Sequence, residues 1–106
     1  MSYTKATYTD VDPVADSMYF LRDALDCENL GITVVECEPG WTGKEHDHTE
    51  EGQEEVYLLL DGEATITIEG ESVGMEAGDA LRIAPEASRR IENGETKSRF
   101  VLAGAP

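Results

Sequence analysis

Lysine is nearly missing from this chain. Lys5, Lys44 and Lys97 are the only three among 106 residues, and all basic residues together number 8 against 23 acidic ones. The resulting formal charge of −15 repels nucleic-acid phosphates and anionic lipid surfaces, so neither is expected as a partner. No apolar run approaches the roughly 20 residues of a membrane-spanning helix, and no basic-then-apolar leader opens the sequence. A cytoplasmic location is therefore expected. Cysteine is limited to Cys27 and Cys37, which a reducing compartment keeps as thiols. Cys37 shares a strand face with Thr33 and Val35 and reads as a small buried hydrophobe. Phosphate-cradling glycine loops, nucleophile elbows and Cys-x-x-Cys pairs are all missing. Histidine occurs only twice, as His46 and His48.

What abounds is carboxylate, spread over the whole length. That is the surface of a protein from a salt-accumulating halophile such as a haloarchaeon, where counterions screen the self-repulsion. Disorder is the competing reading of high charge, but the apolar residues recur in patterns that form a core. The length allows one domain with one modest core.

The opening stretch is ambiguous. Asp12-Pro13 suits a helix start with Val14, Met18, Leu21 and Leu25 on one face, yet Met18-Tyr-Phe-Leu21 serves equally as a short strand. From Leu30 onward the signal is all β, in short runs punctuated by Gly, Asp-Gly or Pro. Asp61-Gly62 predicts a type I′ hairpin that pairs Leu59 with Ala64, Tyr57 with Ile66 and Glu55 with Ile68. A following turn at Gly70-Glu71 sets Val73 opposite Ile68 and Met75 opposite Ile66. Both registers give the same apolar inner face, with Glu55 pointing in and Glu54 out. Downstream, Leu81 and Ile83 share one face, Arg89 and Ile91 another, and Phe100 and Leu102 close the core. Many short antiparallel strands without a long helix predict a β-sandwich or small barrel. Val56, Leu58 and Leu60 fall on the outer face, where a partner subunit or the N-terminal segment is expected to cover them.

His46 and His48, one residue apart, project from one face of an extended chain, and Glu55 faces the same interior. Two histidines and one carboxylate suit Fe(II), Mn(II), Zn(II) or Ni(II) with positions left open. The competing reading is an acidic surface loop with two solvated histidines, because His-x-His alone is a weak signal. Trp41 and Tyr57 are candidate pocket residues that core packing would equally explain.

Gly40-x5-His46-x-His48 followed by Glu55-x6-Gly62 resembles the first motif of the cupins. The gap from His48 to Glu55 is longer than that family's, as a small loop insertion would make it. Gly78 through Asn93 resembles the second motif in spacing. The resemblance spans roughly residues 30 to 103. It implies a double-stranded β-helix (jelly-roll) barrel over residues 30–106, with residues 1–29 as an N-terminal segment packing on it or on a partner subunit. It also implies a small polar or anionic ligand inside the barrel, isomerase-like or dioxygenase-like chemistry, no organic cofactor and a homodimer. Two positions depart from the pattern. Glu86 replaces a turn glycine, and Arg89 stands where the family places its fourth ligand, a histidine. A guanidinium cannot ligate a metal. Arg89 is therefore expected to pair with Glu55 in place of a metal, to turn toward an anionic ligand, or to sit at the rim against one of the many acids. Gln53 or Glu54 is a candidate substitute ligand from the inserted loop.

Overall fold

Eight strands and one 3-10 turn carry the fold, seen in a computed structural model that describes residues 2–106. The turn spans Tyr8–Asp10. The strands are β1 Met18–Phe20, β2 Gly31–Cys37, β3 Glu54–Asp61, β4 Glu63–Ile68, β5 Glu71–Glu76, β6 Ala80–Ile83, β7 Arg89–Asn93 and β8 Ser98–Ala105. They form two antiparallel sheets, one ordered β1-β2-β8-β3-β6 and the other β5-β4-β7. The inner faces meet in one core of Val35, Tyr57, Leu59, Ile83, Phe100 and Leu102 from the larger sheet, with Ala64, Ile66, Met75 and Ile91 from the smaller. This all-β jelly-roll is the predicted class.

The Asp61-Gly62 hairpin is corrected. β3 and β4 do not pair; the chain leaves one sheet at Asp61 and enters the other at Glu63. A type I′ turn needs positive φ at both central residues, and here only Gly62 has it, at 86°. A bulge between Leu59 and Asp61 adds twist, and the Lys97 carbonyl lies where a Cβ on Gly62 would fall. The inner-face residues are nevertheless the expected ones, because the two strands face each other across the core instead of lying side by side. The next turn also shifts by one residue, to Glu69-Gly70, with φ of 50° and 79°. It pairs Ile66 with Val73 and Ala64 with Met75, two residues from the expected register but on the same face.

Of the two readings of the opening stretch, Met18–Phe20 takes the strand, pairing Met18 with Val35 and Phe20 with Thr33 on the edge of β2. Tyr8 stacks edge-on against Tyr19 at 5.2 Å and donates its hydroxyl to Glu36 at 2.6 Å, which raises its phenol pKa. The N-terminal segment thus covers the β1–β2 end of the outer face. Val56 and Leu60, at 40% and 44% exposure, stay uncovered by it.

The loop ends are fastened by Asn93. Its amide donates to the carbonyls of Cys37 at 3.2 Å, Glu38 at 2.7 Å and Thr96 at 2.9 Å, and its carbonyl oxygen accepts from the Ser98 hydroxyl at 2.7 Å. Truncation would strand buried carbonyls at about 1–3 kcal/mol each if no water replaced the amide. Asn93→Ala is expected to lose about 2–4 kcal/mol of stability in denaturant titration, and Ser98→Ala about 1 kcal/mol. Equal, near-zero losses for both would remove this fastening role.

Candidate metal centre

The histidines lie on an extended segment that is not a full strand. His46 exchanges two backbone hydrogen bonds with Arg89, its N–H to the Arg89 carbonyl at 3.0 Å and the return bond at 2.8 Å. The His48 N–H donates to the Pro85 carbonyl at 2.8 Å. Period-two alternation holds along this segment, so both rings turn to one side, with centroids 5.0 Å apart. The inserted residues form a tight turn, closed by Gly52 N–H to the Thr49 carbonyl with Gly52 at φ 61°. Asp47 accepts from the Thr49 N–H at 3.1 Å, and that bond chiefly lowers its pKa. The turn returns the chain to β3 with Glu55 pointing inward, 8% exposed.

Donor atoms of His46, His48 and Glu55 all lie within 4.8 Å of one another. Ligand bonds of about 2.0–2.2 Å separate two donors on one ion by at most about 4.4 Å, so a divalent ion needs little closing of this triad. One of the two rings is held by a hydrogen bond. His46 Nδ1 lies 2.9 Å from the Lys44 carbonyl, which fixes the proton there and leaves Nε2 with its lone pair free. His48 turns Nε2 to Glu55 Oε1 at 3.2 Å and Nδ1 toward Glu51 at 3.6 Å. Buried Glu55 Oε1 has that His48 nitrogen beside it but no aligned hydrogen bond, an arrangement that a cation set between the two would satisfy. The residues fit the group.

Arg89 is wholly buried, on the inner face as expected. It forms no ion pair with Glu55 or any other carboxylate among the described residues, which corrects both the pairing and the rim expectations. Nη2 donates to the Ala84 carbonyl at 3.1 Å, while Nε and Nη1 have no partner. Glu86 sits in a turn closed by Ala87 N–H to the Ala84 carbonyl at 3.2 Å. It is not among the residues with positive φ, so no glycine is required there. Glu54 is also corrected as a ligand: it pairs with Arg82 on the outside at 2.8 Å.

The triad opens into a cavity of about 600 Å³ lined also by Trp41, Gln53 and Tyr57. Arg89 does not line it. Tyr57 is both things the sequence allowed, a core aromatic packed edge-on to Phe100 at 6.3 Å and a wall of the cavity. Burial first, and the Glu55 charge second, push its phenol pKa well up, so the hydroxyl stays protonated and can donate. The Trp41 indole rests over Gly43, where a Cβ would come within 3.1 Å of the ring. Gln53 is buried, with its amide oxygen facing Arg22 at 3.3 Å. Sequence reasoning missed Met18, Phe20, Arg22 and Lys44, all of which line the cavity. No local pattern marks the first three, since β1 reaches the site only by pairing with β2, whereas Lys44 shares the parity of His46 and His48.

The same architecture recurs widely among solved structures. A cupin protein from Bacteroides fragilis is 29% identical, with a TM-score of 0.77 over 98% of this chain and 83% of that one. A predicted oxalate decarboxylase from Thermotoga maritima is 23% identical, with a TM-score of 0.77 over 96% and 98%. A sugar phosphate isomerase of the cupin superfamily from Silicibacter pomeroyi is 22% identical, with a TM-score of 0.71 over 86% of this chain and 60% of that one. No curated protein matches the chain. Residues 33–104, which carry both motifs and every strand from Thr33 onward, match the cupin domain. By that match, and by the fold it accompanies, this chain belongs to the cupins.

Proposed function

We propose that this cupin holds a divalent metal at His46, His48 and Glu55 and binds a small polar or anionic molecule in the cavity, with isomerase-like chemistry favoured over dioxygenase-like chemistry. The observation that carries the reading is the buried Glu55 oxygen with no aligned hydrogen bond, gathered with one nitrogen from each histidine within 4.8 Å. A metal bound there supplies a Lewis acid that polarises a ligand oxygen. The chain's own residues supply the rest. Glu51 lies beside the outer nitrogen of His48, Tyr57 presents a protonated hydroxyl, and Trp41 and Phe20 keep the walls apolar. Fe, Mn, Zn and Ni all suit such a donor set. An isomerase and a predicted decarboxylase among the structural neighbours agree with a small oxygen-rich ligand.

The second reading is a ligand-binding cupin that has lost its metal, with Arg89 in the fourth ligand's place. One observation favours it: a permanent cation buried behind the triad opposes a second one. Elemental analysis of untagged protein separates the two. About one divalent ion per chain is expected. Competition with a chromophoric chelator should show His48→Ala weakening uptake by at least roughly 100-fold, more than supporting-residue changes cost. Arg89→His, which exchanges a cation for a ligand, should tighten it. Metal-free protein that takes up no ion on reconstitution would leave the second reading standing.

Arg89 is kept at a cost to stability, since a buried charge with two idle donors is poorly compensated. Arg89→Met is expected to raise the stability of metal-free protein by about 1–3 kcal/mol in denaturant titration. A loss instead would mean that the guanidinium is better satisfied than its contacts suggest.

The protein is further proposed to work in a cytoplasm of high salt, as its carboxylate surface suits, and to dimerise through the outer face of the larger sheet. Val56 and Leu60 are exposed there on one face of β3, with half-buried Leu58 between them, in a surface otherwise rich in charge. Light scattering should give a dimer for the wild type and a monomer for Val56→Glu. A monomeric wild type would remove the interface.

A further inference from the structure

Cations on this molecule are scarce, eight in all, and half of them are paired with acids. Arg82, Arg90, Lys97 and Arg99 each lie within 4.0 Å of a carboxylate. Arg22, Lys44, Arg89 and Lys5 do not, among the described residues. Arg22 and Lys44 both line the cavity. Of that pair, Arg22 alone carries a planar fork matched to two oxygens of one anion. We propose that Arg22, steadied by Gln53, is the residue that recognises the oxyanion of the cavity's ligand, a carboxylate or phosphate group on a small molecule. This rests on the reading of the cavity as a small-molecule site and is independent of the metal.

The position is built from the backbone. The Leu21 N–H donates to the Ile32 carbonyl at 2.9 Å, which seats the end of β1 on β2 and leaves the next residue over Gly31. A Cβ on Gly31 would lie 2.6 Å from Arg22 Nη2, so the guanidinium occupies the space that the missing side chain leaves. Gly31 pairs with Gly104, and a Cβ there would collide with the Gln53 amide. Two glycines facing each other on neighbouring strands therefore form a shelf on which the guanidinium and the amide lie together. Arg22 Nη2 donates to Gln53 Oε1 at 3.3 Å, and Arg22 Nε is shut from solvent with no partner. One long bond to a neutral acceptor leaves most of a planar five-donor fork unused. Asp23 and Glu51 line the same cavity, yet neither comes within 4.0 Å of that fork.

The shelf also has a fixed relation to the triad. Gly104 pairs with Gly31 on one side and with Glu55 on the other. Glu55 and Gly31 are thus two strand spacings apart, about 10 Å between backbones, and the Glu55 side chain and the guanidinium seated over Gly31 both line the same cavity. A ligand whose oxygens meet His46, His48 and Glu55 at one end places its far end at Arg22. The fork's geometry suits two oxygens of one carboxylate or phosphate.

The test is calorimetric titration with lactate, glycerol 3-phosphate and glycerol, on both metal-free and Mn(II)-loaded protein. At least one of the two anions is expected to bind the wild type, and Arg22→Gln is expected to weaken it by roughly tenfold or more. Loss of lactate binding assigns the carboxylate, and loss of glycerol 3-phosphate binding assigns the phosphate. Glycerol should not distinguish the variants, and Arg82→Gln should match the wild type. Gly31→Ala, which displaces the guanidinium without removing it, should reproduce part of the loss, with thermal melts checking that each variant folds. Unchanged affinity in Arg22→Gln, or no anion bound by the wild type, overturns the assignment. Arg22-dependent anion binding in a protein that takes no metal would sink only the metal reading. Metal uptake with anion binding indifferent to Arg22 would sink only this one.

Discussion

Two backbone hydrogen bonds between His46 and Arg89 hold this site together. They fasten an otherwise irregular segment to the edge of β7, and everything downstream depends on that attachment. It carries both histidines to the mouth of the sandwich, sets their rings to one side and leaves Glu55 on β3 to approach from the larger sheet. The pairing costs the chain nothing in special residues, because backbone pairing in an extended segment is indifferent to side chain. That is why the facing position tolerates Arg89 where a histidine is usual.

The electrostatic problem of the site follows from the same pairing. Arg89 is delivered to the interior by strand alternation, and a side chain that cannot lose its proton must stay charged there. The fold has not given it a carboxylate, although carboxylates are the commonest charged groups in the chain. Glu55, the nearest in topology, is turned to His48 instead. The adjoining cavity mixes both signs, with Arg22 and Lys44 against Asp23, Glu51 and Glu55, in contrast to a surface dominated by acid.

Much of this was legible in the sequence, and the errors have a common cause. Period-two alternation placed Glu55, Tyr57, Leu59, Ile66, Arg89 and Ile91 inside correctly, because the face a residue takes depends on parity alone. The Asp61-Gly62 hairpin failed because parity does not say whether two strands lie side by side or face to face across a core. Glu69-Gly70 makes the turn that Gly70-Glu71 was expected to make, and a non-glycine residue at positive φ carries little local signal. Nothing in the opening residues announced that β1 would reach the cavity.

Spacing and alternation act locally, and they suffice for the class of fold, the inward set of side chains and the grouping of His46, His48 and Glu55 in one cluster. Which strands neighbour which, the sealing-in of Arg89 without a counter-charge, and the meeting of Gly31 and Gly104 that seats Arg22 beside Gln53 required the folded chain. Those are contacts between residues up to 73 positions apart in the chain numbering, Gly31 to Gly104. They are fixed by closure of the sandwich, which no local pattern encodes.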